Sequence, residues 1–375
     1  MVLPLAVVIG GLAGGGRLHM GGSDGLLLFF LGTLLEVNLS QLFLLAATRP
    51  AGLAVVWSSV GVGRRLGSTV RGGRLVTFRS LPLILCYACV VVTERAEQGL
   101  RLWRATVLAV LAELAVAAAL ILSGGAAAPL GWGMATWSVL FGVIKPGTVT
   151  SRAWTLFRLP FGGRVSDLAE WAHDPVSLAA ARALAAGRID VMRAALAGAE
   201  PSRRPQRRAM EAALALAEGR YDDAARESWA LRTELESRRL RLDALRTFAA
   251  TLACAMEAGH WAPQDALPRF NAAMAELRDE QGPQLRVNGL AALAALFEGN
   301  PSQAEKKAAY AVRMAPDSST LTEAHLTRAA AQSALGRHDA ARASLAKAAA
   351  LAPGLRRVAV VAAVISGTPV RVPAG

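Results

Sequence analysis

Two regimes of hydrophobic patterning divide the chain. Up to about residue 150 apolar residues come in long runs, whereas from about residue 166 they recur at helical spacing among charged positions. Gly25–Ala47 (GLLLFFLGTLLEVNLSQLFLLAA) is apolar except for Glu36, Asn38, Ser40 and Gln41, and Ala105–Leu122 carries one acidic residue, Glu113. Both meet the roughly 20 residues that a membrane-crossing helix needs. Pro129–Ile144 is shorter, with Trp132 and Trp137 suited to an interface or a helix contact. Val2–Ala13 is apolar but lacks the basic start of a secretory signal, which favours a retained span. The pattern therefore predicts spans at about 2–13, 25–47, 105–122 and 129–144.

The run Leu81–Val92 (LPLILCYACVVV) behaves differently. Twelve helical residues reach about 18 Å, short of a hydrocarbon core of about 30 Å. Its β-branched end and Tyr87 favour an extended strand. If 81–92 crossed the bilayer, the six arginines of 49–79 would be separated from Arg95, Arg101 and Arg104. If it is re-entrant, all nine share one side, as the positive-inside rule prefers. Region 55–92 is accordingly expected to be a re-entrant strand region, paired into a small sheet. Both termini are then expected on the cytoplasmic side.

Beyond residue 166, turn glycines fall at 187, 219, 259, 299 and 336, spaced by 32, 40, 40 and 37 residues. The strings around them agree: LAAGRID, LAEGRYDDA, MEAGHWAPQDA, LFEGNPSQA and SALGRHDAA. In the last two, alanines follow the glycine by five (Ala304, Ala341) and by twelve (Ala311, Ala348), and prolines by seventeen (Pro316, Pro353). This pattern resembles the tetratricopeptide repeat over 166–354, with small residues where two helices cross and a proline ending the second. The Gly259 unit departs from it, with Pro263 interrupting, and the Gly187 unit has a short final helix. The resemblance implies an α-solenoid whose first helices, including 205–218, 241–257 and 284–298, line a concave peptide- or protein-binding face. The apolar stretch in the tail, 355–375, is expected to cap it or add a short helix.

Composition sharpens this division. The 375 residues are 53 % hydrophobic and only 18 % charged, too apolar for an ordinary soluble domain. Residues 1–150 hold 11 Lys and Arg against 5 Asp and Glu, and the remainder holds 30 against 23. Three cysteines exclude a disulfide framework. The Cys86–Cys89 pair lacks a second pair for zinc and the βαβ context of a redox domain, so it reads as two buried small side chains.

The order of features over residues 1–160 resembles the site-2 protease group, the intramembrane zinc metallopeptidases, in its actinobacterial form. Its members carry HExxH on an early membrane helix, then a sheet with a GFG-like turn, a basic hairpin, an LPLGG strand, a helix with AGPxxN and a final Asp ligand. Here the matching strings are Leu34–Leu39 (LLEVNL), Val60–Leu66 (VGVGRRL), Arg71–Arg74 (RGGR), Leu81–Leu83 (LPL), Leu111–Val116 (LAELAV) and Ser151–Trp154 (SRAW). If Glu36 is the relict base, the zinc-ligand positions hold Leu35, Leu39 and Arg152. Leucine has no lone pair, and an arginine would repel a cation. No HxxxH pair exists among the five histidines. Hydrolysis and a bound metal or other cofactor are therefore not expected, and Glu36 and Glu113 read as intramembrane groups hydrogen-bonded within the bundle.

Two arginine clusters remain, one of Arg203, Arg204, Arg207 and Arg208, the other of Arg238, Arg239 and Arg241. They are candidates to bind an acidic segment or anionic lipid, or else are solvated faces balanced by Glu211, Glu234 and Glu236. Nucleic-acid binding has no interleaved aromatics to support it. The expected protein is mainly α: a polytopic helical membrane domain with a small membrane-associated β region, plus a C-terminal tetratricopeptide-like solenoid. It would lie in the plasma (inner) membrane as a multi-pass protein, its solenoid cytoplasmic. Its function would be that of an inactive protease-like scaffold in the bilayer, with a protein or peptide partner on the solenoid and a client transmembrane segment in the membrane. The alternatives are an active metallopeptidase with unusual ligands and a plain membrane-tethered scaffold.

Overall fold

A computed structural model describes residues 22–83, 87–94, 97–143, 154–159, 165–200, 202–281, 285 and 289–367. The expected span at 2–13 and the ligand position Arg152 lie outside these residues. The apolar runs form α1 (Gly22–Ala47), α2 (Gln98–Ser123) and α3 (Ala127–Val143). Within α1 the stretch Asp24–Ala47, and α2 in full, are each long and apolar enough to cross a membrane. Little of their surface is covered by the rest of the protein, and Leu108, Leu111 and Leu122 of α2 face outward. The seventeen-residue α3 packs against both.

Glycine lets α3 come that close. A Cβ at Gly133 would strike the carbonyl of Phe29 on α1, and one at Gly32 the carbonyl of Leu130. A Cβ on Gly131 would stand 2.6 Å from the carbonyl oxygen of Ala117 on α2. Two glycines two residues apart thus serve two different neighbours, the small-residue packing typical of helices without a hydrophobic driving force between them.

Region 55–92 is a four-stranded sheet of β1 (Leu53–Val60), β2 (Val62–Arg71), β3 (Arg74–Leu81) and β4 (Tyr87–Val92), in the order β2-β3-β1-β4. Strand β1 runs parallel to β3 and antiparallel to β4, while β2 and β3 form a hairpin. The hairpin turns on Gly72 and Gly73, both at positive φ, which the two-residue turn requires. The single extended run expected over 81–92 is divided, since Leu81 closes β3 and Tyr87 opens β4.

A mixed core joins this half to the helices that follow. Leu53 and Val92 of the sheet bury against Leu102 of α2, Leu159 after a π-helical turn (Trp154–Arg158), and Leu168 of α4 (Val165–Trp171). Helix pairs then succeed one another: α5 (Pro175–Ala185) with α6 (Ile189–Ala197), α7 (Pro205–Glu218) with α8 (Tyr221–Glu234), and α9 (Arg238–Glu257) with α10 (Pro263–Gln281). The last two pairs are α11 (Leu290–Phe297) with α12 (Pro301–Met314) and α13 (Ser318–Ala334) with α14 (His338–Leu351), followed by α15 (Arg356–Ser366).

Each of the five spaced glycines sits in the turn inside a pair at φ between 69° and 81°, where other residues are strained. Ala304, Ala311, Ala341 and Ala348 are all fully buried, as helix crossing demands. Pro263 does not interrupt its unit: it is the first residue of α10, where a missing N–H costs nothing. First helices contact first helices of neighbouring pairs, and the series closes on itself. α13 touches α5, and α15 touches both α7 and α9.

Replacing Gly133 with leucine should force α1 and α3 apart and cost about 1–3 kcal/mol, the usual range for overpacking. A thermal melt in detergent, with Gly198→Ala as the control because nothing lies near that position, reads the difference.

Candidate functional site

In the N-terminal helices several polar residues are held by internal bonds. Glu36 is 1 % exposed, and Asn38 beside it donates from Nδ2 to the Leu34 carbonyl (2.8 Å) and to the Leu83 carbonyl just after β3 (3.1 Å). Glu113, fully buried on α2, accepts from the Ser138 hydroxyl on α3 (3.1 Å). Of the two described ligand positions, Leu35 is 39 % exposed and turned away from the bundle, and Leu39 is half-buried. Among the described residues no three His, Cys, Asp or Glu side chains group to hold a metal ion. Burial pushes the Cys89 thiol up to about 11, an inert state.

The sheet is stitched to the helical half at two seams. At one, the His173 N–H donates to the Val92 carbonyl (2.8 Å), the Glu94 N–H donates to the His173 carbonyl (3.2 Å), and Arg182 Nε donates to the Val55 carbonyl (3.0 Å). At the other, Arg79 spans two halves with one guanidinium. It donates to Ser59 Oγ (3.1 Å) and the Gly63 carbonyl (2.9 Å) in the sheet, and to the Arg313 (3.3 Å) and Ala315 (2.8 Å) carbonyls at the end of α12. A cation at a helix C-terminus meets carbonyls that have no partner within the helix. Arg65 adds a bond to Ser318 Oγ (3.1 Å).

Most of the cluster arginines are exposed at the surface, most are engaged by partners, and only Arg207 is buried. Arg204 pairs with Glu94, Arg207 is buried on Asp174 (2.8 Å), and Arg208 pairs with Glu227 and Glu234. Arg238 pairs with Glu280, and Arg239 lies over the Trp171 ring (5.3 Å). Arg203 and Arg241 are exposed without an ion pair among the described residues. Burial alone would raise the Asp174 pKa, but hydrogen bonds from Arg207 and Ser177 outweigh it and hold the carboxyl below its usual range.

First helices α5, α7, α9, α11 and α13 line an inner groove, of which only about 190 Å³ stays open. The first turn of α15 occupies much of the rest. Arg357, 3 % exposed, bonds Glu257 on α9 (2.6 Å), Glu323 on α13 and Thr327 Oγ1 (3.1 Å). Burial by itself would lower its pKa, but the two carboxylates raise it well above the usual value. Arg356 beside it fills the space that a side chain at Gly219 would need.

Two larger cavities went unsignalled by the sequence. One, of about 580 Å³, lies between α8 and α10 with Trp229, Phe248 and Trp261 on its walls. The other, of about 530 Å³, lies where α1, the sheet and α5 meet. Of the arginines lining the latter, Arg49 enters the sequence reading only as a charge that orients the chain, and Arg74 also as part of the RGGR hairpin string. Arg182 and His173 sit in no motif that could have marked them. Compared with protein-family models, curated proteins and solved structures, the chain matches none.

Two expected outcomes follow from the buried ionic groups. Arg357→Met should cost about 3–5 kcal/mol, because it leaves Glu257 and Glu323 facing each other without a cation. Denaturant melts should show it, with Arg203→Met near zero. His173 and His325 are both lowered to about 4 by burial, with neighbouring cations adding to the effect at His325. Each folded pKa lies below the ordinary value of about 6.5, so the unfolded chain binds the proton more readily. Their stabilisation is then complete above about pH 6.5 and is lost as pH falls toward 4, at about 3 kcal/mol each. Melts across that window should flatten in His173→Gln and His325→Gln.

Proposed function

We propose that the chain is a multi-pass protein of the plasma (inner) membrane that binds rather than cleaves. Its N-terminal half would keep the arrangement of a site-2 protease without zinc chemistry, and its helical half would be a cytoplasmic tetratricopeptide-like scaffold. The observation that carries this reading is the surroundings of Glu36. The carboxylate is buried in an apolar helix, its flanking ligand positions are leucines, and neighbouring Asn38 holds the carbonyl at the end of a strand. That environment supports a helix or extended client segment lying beside the sheet, and supplies no donor for a metal at positions 35 and 39.

Two apolar helices of 24 and 26 residues support the membrane assignment. α3, about 25 Å long at 1.5 Å per residue, would cross with them in a thinned or tilted arrangement. The arginines of 49–104 support placing the sheet and helical half on the cytoplasmic side. Positive-φ glycines at the inner turn of all five helix pairs, with fully buried alanines at crossings, support the repeat assignment.

Photoreactive residues introduced at Leu35 or Leu39 of the full chain in its native membrane should trap a membrane-embedded partner. Capture solely from positions on α7–α10 would instead favour a plain tethered scaffold. Cleavage of a membrane substrate, abolished in Glu36→Gln, would restore the peptidase and overturn the reading.

A further inference from the structure

The cavity between α1, the sheet and α5 collects positive charge that no carboxylate neutralises. Arg49 enters it from the turn after α1, Arg74 from the start of β3, and Arg182 from α5. None of the three forms an ion pair among the described residues. Arg182 spends Nε on the Val55 carbonyl, and Arg74 is near enough for like-charge repulsion to lower its pKa further, beyond the larger effect of burial. The one carboxylate on the cavity wall, Glu94, is engaged by Arg204.

A second observation points the same way. His173 is 7 % exposed and lines the cavity, and its Nδ1 is buried without a hydrogen-bond partner among the described residues. Buried polar atoms are nearly always satisfied, and a ligand or water in the cavity would supply the partner that this ring lacks. The cations beside it narrow the choice to an anion.

We propose that this cavity binds a phosphate group. Three guanidinium forks present far more N–H donors than one carboxylate can accept, whereas the several oxygens of a phosphate match them. At about 530 Å³ the cavity is larger than the anion alone and holds a small substituent on it. Leu45 and Ala46, on the last turn of α1, form the adjoining wall. An anionic phospholipid would place its headgroup among the arginines and run its acyl chain back along α1. A soluble phosphate ester offers the same recognition without the chain. The lipid source rests on the membrane reading above; the anion site itself does not.

The test uses the full chain in a zwitterionic detergent, with melting temperature read against short-chain phosphatidylglycerol, short-chain phosphatidylcholine and inorganic phosphate. Phosphatidylglycerol should raise the melting temperature saturably, and Arg74→Glu, at the exposed first residue of β3, should weaken that response at least tenfold. Arg101→Gln with Arg104→Gln, on a separate basic surface, should leave it unchanged. A response to inorganic phosphate equal to that of phosphatidylglycerol, and lost in Arg74→Glu, supports the site and assigns it to a soluble ester. No saturable response to either anion, an equal response to phosphatidylcholine, or an unaltered response in Arg74→Glu overturns the proposal. Membrane fractionation of the expressed chain tests the membrane reading separately.

Discussion

The arrangement of the two halves depends on Arg79. A helix ends with carbonyls that have lost their partners, and the turn from β1 into β2 brings a hydroxyl and a carbonyl beside them. One planar guanidinium answers both, reaching Ser59 and Gly63 on one side and the last carbonyls of α12 on the other. Because the fork is rigid, it sets orientation as well as distance. A lysine could reach one of these sites as a point charge but could not span them. With that clasp in place, the opposite seam at Val92–His173 becomes an extension of the sheet ladder into the loop before α5.

The helical half is a series of helix pairs closed by its own last element. Stacked pairs ordinarily leave a concave surface open, and their stability is a sum over neighbours. Here α15 adds contacts that are not between neighbours, through Arg357 to α9 and α13. An ion cluster so deeply buried contributes little net stabilisation compared with apolar residues of the same volume. Its effect is on geometry: only one placement of α15 satisfies both carboxylates.

What could be read from the sequence and what could not divide along chain separation. Turn glycines at 187, 219, 259, 299 and 336 report local backbone needs, and each pair of helices formed around its glycine. The Gly72–Gly73 hairpin was equally local, and burial of Glu36 follows from its place in an apolar run. Pro263 was misread because a proline at a helix start and one that breaks a helix look alike without the boundary. The arginine clusters do lie mostly at the surface, but the partners of Arg204 and Arg207, Glu94 and Asp174, lie 110 and 33 residues away, where local spacing gives no hint of them. The cavity of Arg49, Arg74 and Arg182 draws on three elements that no periodicity connects.

The clasp at Arg79 has a temporal consequence as well. Its carbonyl partners lie 234 and 236 residues further along the chain. At about 5–20 residues per second, a ribosome needs roughly 10–50 s to make that stretch. For the later part of this interval α1–α3 and the sheet are complete while the end of α12 that receives Arg79 is missing, with β2 and β4 as the edges of the sheet. The arginines along β2 and β3 then act first as gatekeepers that keep a nascent sheet from pairing with its neighbours, and later as its anchors.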